Sequence, residues 1–197
     1  MKKAIGIVSL VLLLDQASKI WVKLNMRLGQ EYKITDWFYL SFIENNGMAY
    51  GFEFGGVTGK IILSVFRIAA IIGLTYWLFK EIKKKASNLL TTAISLILAG
   101  AIGNLVDSLF YGMLFSDSHG EPATLFPKGG GYSGVLLGKV VDMLHFPLWK
   151  GYLPDWLPIW GGHYFVFFEP VFNLADAAVS VGIILLITFQ KKAFGRP

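Results

Sequence analysis

The sequence contains no cysteine among its 197 residues. This absence excludes a disulfide framework, a thiolate metal site and a cysteine nucleophile. Charged residues are also sparse, at 16% of the chain, whereas hydrophobic residues make up 54% and the mean hydropathy is +0.56. Soluble domains rarely reach such a value, so the composition indicates a membrane protein.

Histidine is scarce as well. His119, His145 and His163 are the three histidines of the chain, and they lack the spacing of metal ligands. A His-Glu-x-x-His pattern is absent, and "GYSGV" fails the Gly-x-Ser-x-Gly pattern at its fifth position. The sequence therefore argues against a zinc peptidase and a serine hydrolase, and it predicts no metal or other cofactor.

Long apolar runs are what the chain does have. Four segments, at about 4–24, 61–79, 89–114 and 171–190, approach the ~20 residues that a helix needs to cross a bilayer. The first resembles a secretory signal, but we expect it to stay uncleaved because "IWVKL" continues the segment. We therefore predict a single-domain α-helical membrane protein with four transmembrane helices.

The basic residues predict the orientation. They cluster before the first span, between the second and third, and after the fourth: Lys2, Lys3, Lys80, Lys83, Lys84, Lys85, Lys191, Lys192 and Arg196. The positive-inside rule then places both termini in the cytoplasm, with loops 25–60 and 115–170 outside. Because the net charge of +5 is divided among these clusters, the sequence also argues against a nucleic-acid partner.

The two outer loops differ in pattern. The first alternates aromatic and polar residues, which predicts two or three short strands. Its turns are expected at Asn45–Gly47 and Gly55–Gly56. The second, an insertion at about 113–170, contains "FPLWKGYLPDWLPIWGGHYF", which fits either a membrane-interface segment or a folded aqueous cap.

Polar residues converge at one depth in this topology, near the outer membrane surface. They are Asp15, Lys19, Asn104, Asp107, Asp142, Asn173 and Asp176. Taken singly, Asp176 could be a helix cap, Asp15 and Lys19 a structural ion pair, and Asn45 a turn residue. Charged groups at this depth are costly unless they face a protein interior or water, so their convergence favours a functional site.

Paired aspartates suggest a chemistry that needs no cofactor. Two close carboxyl groups cannot both ionise easily, so they share a proton. The ionised group can take a proton from water while the other protonates a scissile carbonyl oxygen. This is the chemistry of aspartic peptide hydrolysis.

Five ordered motifs resemble those of the lipoprotein signal peptidases (signal peptidase II), a bacterial family of aspartic intramembrane peptidases. They are "DQASK" at 15–19, "ENNGMAYG" at 44–51, "GAIGNLVD" at 100–107, "GKVVDM" at 138–143 and "FNLADAA" at 172–178. The resemblance implies four transmembrane helices in the bacterial inner membrane, with a small extracytoplasmic β-cradle at about 30–57. It also implies a prolipoprotein substrate, cut before a diacylglyceryl-modified cysteine, and sensitivity to globomycin-type cyclic peptides.

The resemblance further implies roles for individual residues. The catalytic pair falls on Asp142 and Asp176. Polar residues that line or support the site fall on Asn45, Asn104, Asp107, Asn173, Asp15 and Lys19. We expect the partners to be the prolipoprotein and membrane lipids, and the enzyme to act as a monomer.

The chain departs from the family pattern at four places. Ser108 stands where an arginine is usual, which leaves the ion pairing of Asp107 open, and Met143 stands where an aromatic residue is usual. Segments 111–138 and 144–170 are longer than usual. Two other functions stay open from the residues alone: a carrier coupled to protons or cations, and a structural assembly factor with a polar seam between helices.

Overall fold

Three long apolar helices dominate the computed structural model, which describes residues 1–46 and 56–195. The helices are α1 (Lys2–Asn25), α2 (Gly56–Lys83), α3 (Asn88–Val106), α4 (Gly112–Leu114), α5 (Leu174–Thr188) and α6 (Gln190–Phe194). A π-helical turn, Asp107–Tyr111, joins α3 to α4, so that one continuous helix runs from Asn88 to Leu114. Helices α1, α2 and α3–α4 are each long and apolar enough to cross a membrane.

Helix α1 has one buried face that is polar and an opposite, exposed face that is apolar. Asp15, Lys19 and Lys23 follow one another at four-residue steps, share one face and are fully buried. The opposite surface exposes apolar side chains such as Leu13, at 67%. This distribution would be unfavourable in water, and it suits a helix that is surrounded by lipid and turns its charges toward a protein interior.

Glycines allow α3 to lie against its neighbours at short range. A Cβ atom at Gly100 would lie 2.2 Å from the carbonyl oxygen of Ala175 in α5. A Cβ at Gly103 would lie 2.7 Å from Oδ2 of Asp15 in α1 and 3.1 Å from Cβ of Ala175. Because glycine has no side chain at these two positions, α1, α3 and α5 can pack closely at the level of the polar residues.

Two sheets lie outside the helices. Their strands are β1 (Glu31–Lys33), β2 (Tyr39–Asn45), β3 (Val140–His145), β4 (Trp149–Tyr152), β5 (Tyr164–Phe167) and β6 (Val171–Phe172). The larger sheet is antiparallel with the order β1-β2-β3-β6, and it pairs Ile43 with Asp142. Strands β4 and β5 form a separate hairpin.

Two apolar clusters occupy opposite ends of the helices. One joins the end of α1 to the π-helical turn and the sheet, through Val22, Tyr111 and Phe42. The other joins the start of α1 to the end of α2, the start of α3 and helix α6, through Ala4, Leu78, Leu90 and Ala193. Helices α1 and α3 therefore run in one direction and α2 runs in the opposite direction.

The predicted strands of the first outer loop correspond to β1 and β2. The predicted turns at Asn45–Gly47 and Gly55–Gly56 stay predictions, because Gly47 and Gly55 lie outside the described part of the chain. Asn45 ends β2, and Gly56 begins α2. Strand β3 comes from the predicted second outer loop and β6 from the first two residues of the predicted fourth span. Both complete the same sheet, which the alternation of residues in the first loop alone did not predict.

The fourth predicted span differs from the other three. Residues 171–172 form strand β6, and α5 has only 15 residues, which is about 22 Å of helix. That is shorter than the ~30 Å hydrocarbon core. The described residues thus contain three helices of spanning length, and the fourth span stays a prediction.

Candidate active site

Asp142 lies in the middle of β3, on a strand whose apolar neighbours are buried. Its side chain is 4% exposed. Asn45, on the paired strand β2, donates a hydrogen bond to Oδ2 of Asp142. Nδ2 of Asn173 donates to Oδ1 at 2.7 Å. Two amide groups therefore fix the orientation of this carboxyl group.

The surroundings of Asp142 change its acidity. Burial raises the pKa of Asp142 to about 7, and the nearby charge of Asp176 contributes to the rise. The hydrogen bonds from Asn173 and Asn45 act in the opposite direction, because they favour the carboxylate. Near neutral pH, Asp142 can therefore either hold or release a proton.

Asp176 lies in the first turn of α5, half-buried, where a capping box begins the helix. Oδ1 of Asn173 accepts a hydrogen bond from the Asp176 backbone N–H at 2.8 Å, and Oδ2 of Asp176 accepts from the Asn173 backbone N–H at 3.5 Å. The other oxygen, Oδ1, accepts from Nδ2 of Asn104 at 2.7 Å. Asp176 is thus a helix cap that also faces the polar centre.

Asn173 connects the two aspartates. Its Nδ2 atom lies 2.7 Å from Oδ1 of Asp142 and 3.1 Å from Oδ1 of Asn104, and the residue is fully buried. Its Oδ1 atom holds the backbone N–H of Asp176. The chain thus joins both predicted catalytic residues through a network of asparagine amides.

Lys19 is the centre of a second, buried network beneath the aspartates. Its Nζ atom lies 3.0 Å from Oδ2 of Asp15 and 2.8 Å from Oδ2 of Asp107, and it donates to Oδ1 of Asn104 at 2.9 Å. The two carboxylates also bind backbone: Asp15 accepts from the Ala175 N–H of α5 at 2.9 Å, and Asp107 accepts from the Val141 N–H of β3 at 3.3 Å. This network attaches α1 and α3 to the two elements that carry Asp142 and Asp176.

Residue patterns alone missed several members of the site. Gln16 donates to Oδ1 of Asp107 at 2.9 Å, and its Oε1 accepts from the Tyr111 hydroxyl at 3.1 Å. Lys23 forms a buried ion pair with Glu44, the residue before Asn45. The available signals were the position of Gln16 beside Asp15 and the four-residue step from Lys19 to Lys23.

The contacts around Ser108 show how the charge of Asp107 is compensated in the absence of the usual arginine. Asp107 pairs with Lys19, so its charge is compensated without an arginine at position 108. The Ser108 hydroxyl accepts a hydrogen bond from Nη1 of Arg67 in α2 at 3.2 Å. Sequence reasoning did not single out Arg67, although it is the only charged residue between 61 and 79.

Among the described residues, no cluster of three or more His, Asp or Glu side chains could hold a metal ion. The arrangement instead offers two carboxyl groups in one amide network, one of them buried with a raised pKa. Such a pair can give and take protons at the same substrate. Buried charges beneath an apolar helix surface, together with this pair, define the class of a helical membrane enzyme.

Comparison with solved structures supports the helical membrane fold. The fold is similar to two bacterial membrane enzymes solved by the in meso method at 2.3 Å and 1.9 Å resolution, with TM-scores of 0.64 and 0.63. The sequence identities are 23% and 26%. The matches cover 100% and 98% of this chain and 93% and 94% of the solved chains.

Comparison of sequences identifies the family. The profile of "Signal peptidase (SPase) II" matches residues 7–191. A lipoprotein signal peptidase of Porphyromonas gingivalis is 50% identical over 187 residues, which are 94% of this chain and 81% of the relative. One of Amoebophilus asiaticus is 38% identical over 200 residues, covering 99% and 80%. The chain belongs to the signal peptidase II family.

Proposed function

We propose that this chain is an aspartic endopeptidase in which Asp142 and Asp176 are the catalytic pair. It removes the signal peptide from prolipoproteins, and in our proposal it cuts before a diacylglyceryl-modified cysteine. The observation that carries the assignment of the pair is the amide network, in which Asn173 contacts both aspartates and Asn104 holds Asp176.

The proposed reaction begins with one proton shared by the two carboxyl groups. The raised pKa of Asp142 favours Asp142 as its holder, although the apparent pKa values belong to the pair. Asp176 takes a proton from water as the water oxygen attacks the scissile carbonyl carbon, and Asp142 gives its proton to the carbonyl oxygen. The C–N bond then breaks as Asp176 gives its proton to the leaving nitrogen and Asp142 recovers one from the tetrahedral intermediate.

The remaining predicted residues would position this pair. In the proposal, Asn45, Asn104 and Asn173 orient the two carboxyl groups, because their amides contact them directly or through one another. Asp15, Lys19 and Asp107 form the buried ion-pair network that fixes the relative positions of α1, α3, β3 and α5. Orientation of a reacting group within a fraction of an ångström has large effects on rate.

In the membrane, we propose four spans, with both termini cytoplasmic and the site near the outer face of a bacterial inner membrane. Ala193 of α6 packs with Ala4, Leu78 and Leu90, which supports a path of α5 and α6 from the site to the other end of the helices. The basic clusters lie toward that end, which supports a cytoplasmic assignment by the positive-inside rule.

The β4–β5 hairpin supports a contact with membrane lipids. Trp156 and Ile159, at its tip, are 79% and 86% exposed, and Trp160 is also exposed. An isolated two-stranded hairpin is marginally stable in water, and tryptophan prefers the membrane interface. We propose that the enzyme acts as a monomer, because one chain supplies both carboxylates and their amide network.

The test is cleavage of a diacylglyceryl-modified prolipoprotein by the purified protein in lipid nanodiscs, followed by gel mobility. We expect cleavage of the modified precursor and at least about 10-fold slower cleavage of the unmodified one, because the lipid holds the scissile bond at the depth of the site. No cleavage of either by folded protein would contradict the proposal. The carrier would instead predict flux into liposomes, and the assembly factor would predict loss of a complex in the aspartate variants.

A further inference from the structure

Arg67 is a charged side chain in an otherwise apolar part of α2. It is the only charged residue between 61 and 79, and a guanidinium inside a membrane span is costly unless it faces protein or water. Its neighbours Val65 and Phe66 are exposed on the helix surface, whereas Arg67 is half-buried and donates to the Ser108 hydroxyl at 3.2 Å. The side chain therefore turns inward, toward the π-helical turn after α3.

Ser108 places this guanidinium beside the amide network. The serine is buried, and its hydroxyl donates to the backbone oxygen of Asn104 at 3.1 Å while it accepts from Arg67. Asn104 in turn holds Asp176. The positive charge of Arg67 lies within electrostatic range of Asp176, Asp107 and Asp142.

These carboxylates are not equivalent for Arg67. Asp107 forms its own ion pair with Lys19 at 2.8 Å, and the charge of Lys19 also acts to lower the pKa of Asp142. Asp176 and Asp142 form the proposed catalytic pair, and their shared proton depends on the local charge. We propose that Arg67 supplies, from α2, a second positive charge beside that of Lys19, and that this charge helps to set the protonation of the Asp142–Asp176 pair, an inference that rests on the proposed function.

A cation near the pair favours the ionised form in each of the two ionisations of the pair, and so lowers both apparent pKa values. Removal of the charge should therefore move both limbs of the bell-shaped pH profile of kcat/KM to higher pH. We expect a movement of about one pH unit in each limb, given the strength of a charge pair at an effective protein dielectric constant of about 20. Simple damage to the structure would lower the rate at every pH and leave the limbs in place.

The experiment compares pH profiles of cleavage in nanodiscs for the wild type, Arg67→Gln and Arg67→Lys. Lys80→Gln is the matched control, because it removes a positive charge from the same helix, near the C-terminal end of α2. A fourth variant, Arg67→Gln with Ser108→Arg, returns a guanidinium to the neighbouring position after the room that Arg67 occupied has been freed. This variant keeps the test informative if Arg67→Gln folds poorly.

We expect Arg67→Gln to move both limbs upward, and we expect Arg67→Lys, Lys80→Gln and the relocated arginine to keep the wild-type limbs within about 0.3 pH unit. Wild-type limbs in Arg67→Gln, whatever its rate, would overturn the inference and leave the peptidase intact. Limbs that stay displaced when the arginine is relocated would also overturn it. A folded wild type that cleaves nothing would overturn the proposed function and this inference together.

Discussion

At the scale of single residues, Asp142 and Asp176 are the same side chain in two environments. Asp142 is buried in a strand among apolar neighbours, and Asp176 is half-buried in the first turn of a helix. Burial disfavours the charge on Asp142, whereas a helix N-terminus stabilises negative charge nearby. This asymmetry supports the assignment of acid to Asp142 and base to Asp176.

The pH dependence of cleavage should reveal this asymmetry. Burial raises the pKa of Asp142 to about 7, so the pair loses its shared proton as the pH rises through that value. We expect kcat/KM to fall about 10-fold per pH unit above about pH 7. A profile that rises or stays flat from pH 7 to 9, measured with a substrate without titrating groups near the cut, would contradict the assignment.

The sequence predicted the polar residues of the site more completely than their partners. Asp15, Asn104 and Asn173 could be proposed because they belong to linear motifs and lie at predictable depths in the spans. Arg67 lies in no motif, and Gln16 lies in the first motif but was assigned no role. The contacts of Gln16 with Asp107 and of Arg67 with Ser108 depend on how helices distant in sequence pack. Spacing along one helix does not show which side chain of another helix will reach it.

At the scale of elements, the site depends on how closely α3 approaches α1 and α5. Gly103 lies between Asp15 of α1 and Ala175 of α5, and these two residues are themselves joined by a hydrogen bond of 2.9 Å. A side chain at position 103 would separate the helices where Lys19 and Asn104 meet. Helix packing and the proposed chemistry are therefore coupled at this residue.

Gly103→Ala should reduce both stability and activity. The added Cβ would lie 2.7 Å from Oδ2 of Asp15, and such overpacking costs about 1–3 kcal/mol. We expect a lower Tm in nanodiscs and at least about 10-fold lower kcat/KM, since the network beneath the pair must shift.

Gly73→Ala is the matched control for this prediction. A Cβ at Gly73 in α2 would meet no heavy atom within 4 Å beyond the adjoining backbone of its own helix, and alanine is a better helix former than glycine by about 0.5–1 kcal/mol. Its Tm and activity should equal or exceed those of the wild type. Equal behaviour of the two alanine variants would show that close packing at Gly103 does not support the site.

The elements themselves were predictable to different degrees. Apolar runs of about 20 residues determine the three long helices, because length and hydropathy are local properties. The sheet was predicted only in part: its central strand β3 carries Asp142 but comes from the second outer loop, and it pairs with β2 across about 100 residues. Long-range pairing of this kind leaves no periodic signal in either segment.

At the scale of the whole molecule, the proposed orientation can be tested by labelling. The absence of cysteine makes each introduced thiol unique. The Asp36 side chain, between β1 and β2, is 91% exposed, and that of Lys84, between α2 and α3, is 58% exposed. A membrane-impermeant maleimide should label Asp36→Cys in intact spheroplasts and Lys84→Cys only after permeabilisation. The reverse pattern would contradict the proposed orientation.

The catalytic pair is the central claim, and its most direct test is single-turnover cleavage of diacylglyceryl-modified prolipoprotein by Asp142→Asn and Asp176→Asn in nanodiscs. Asp36→Asn, at a side chain that is 91% exposed in the first outer loop, is the matched control. We predict at least about 100-fold slower cleavage in each of the first two variants, with retained folding, and wild-type cleavage in the control. Wild-type cleavage by either Asp142→Asn or Asp176→Asn would contradict the account.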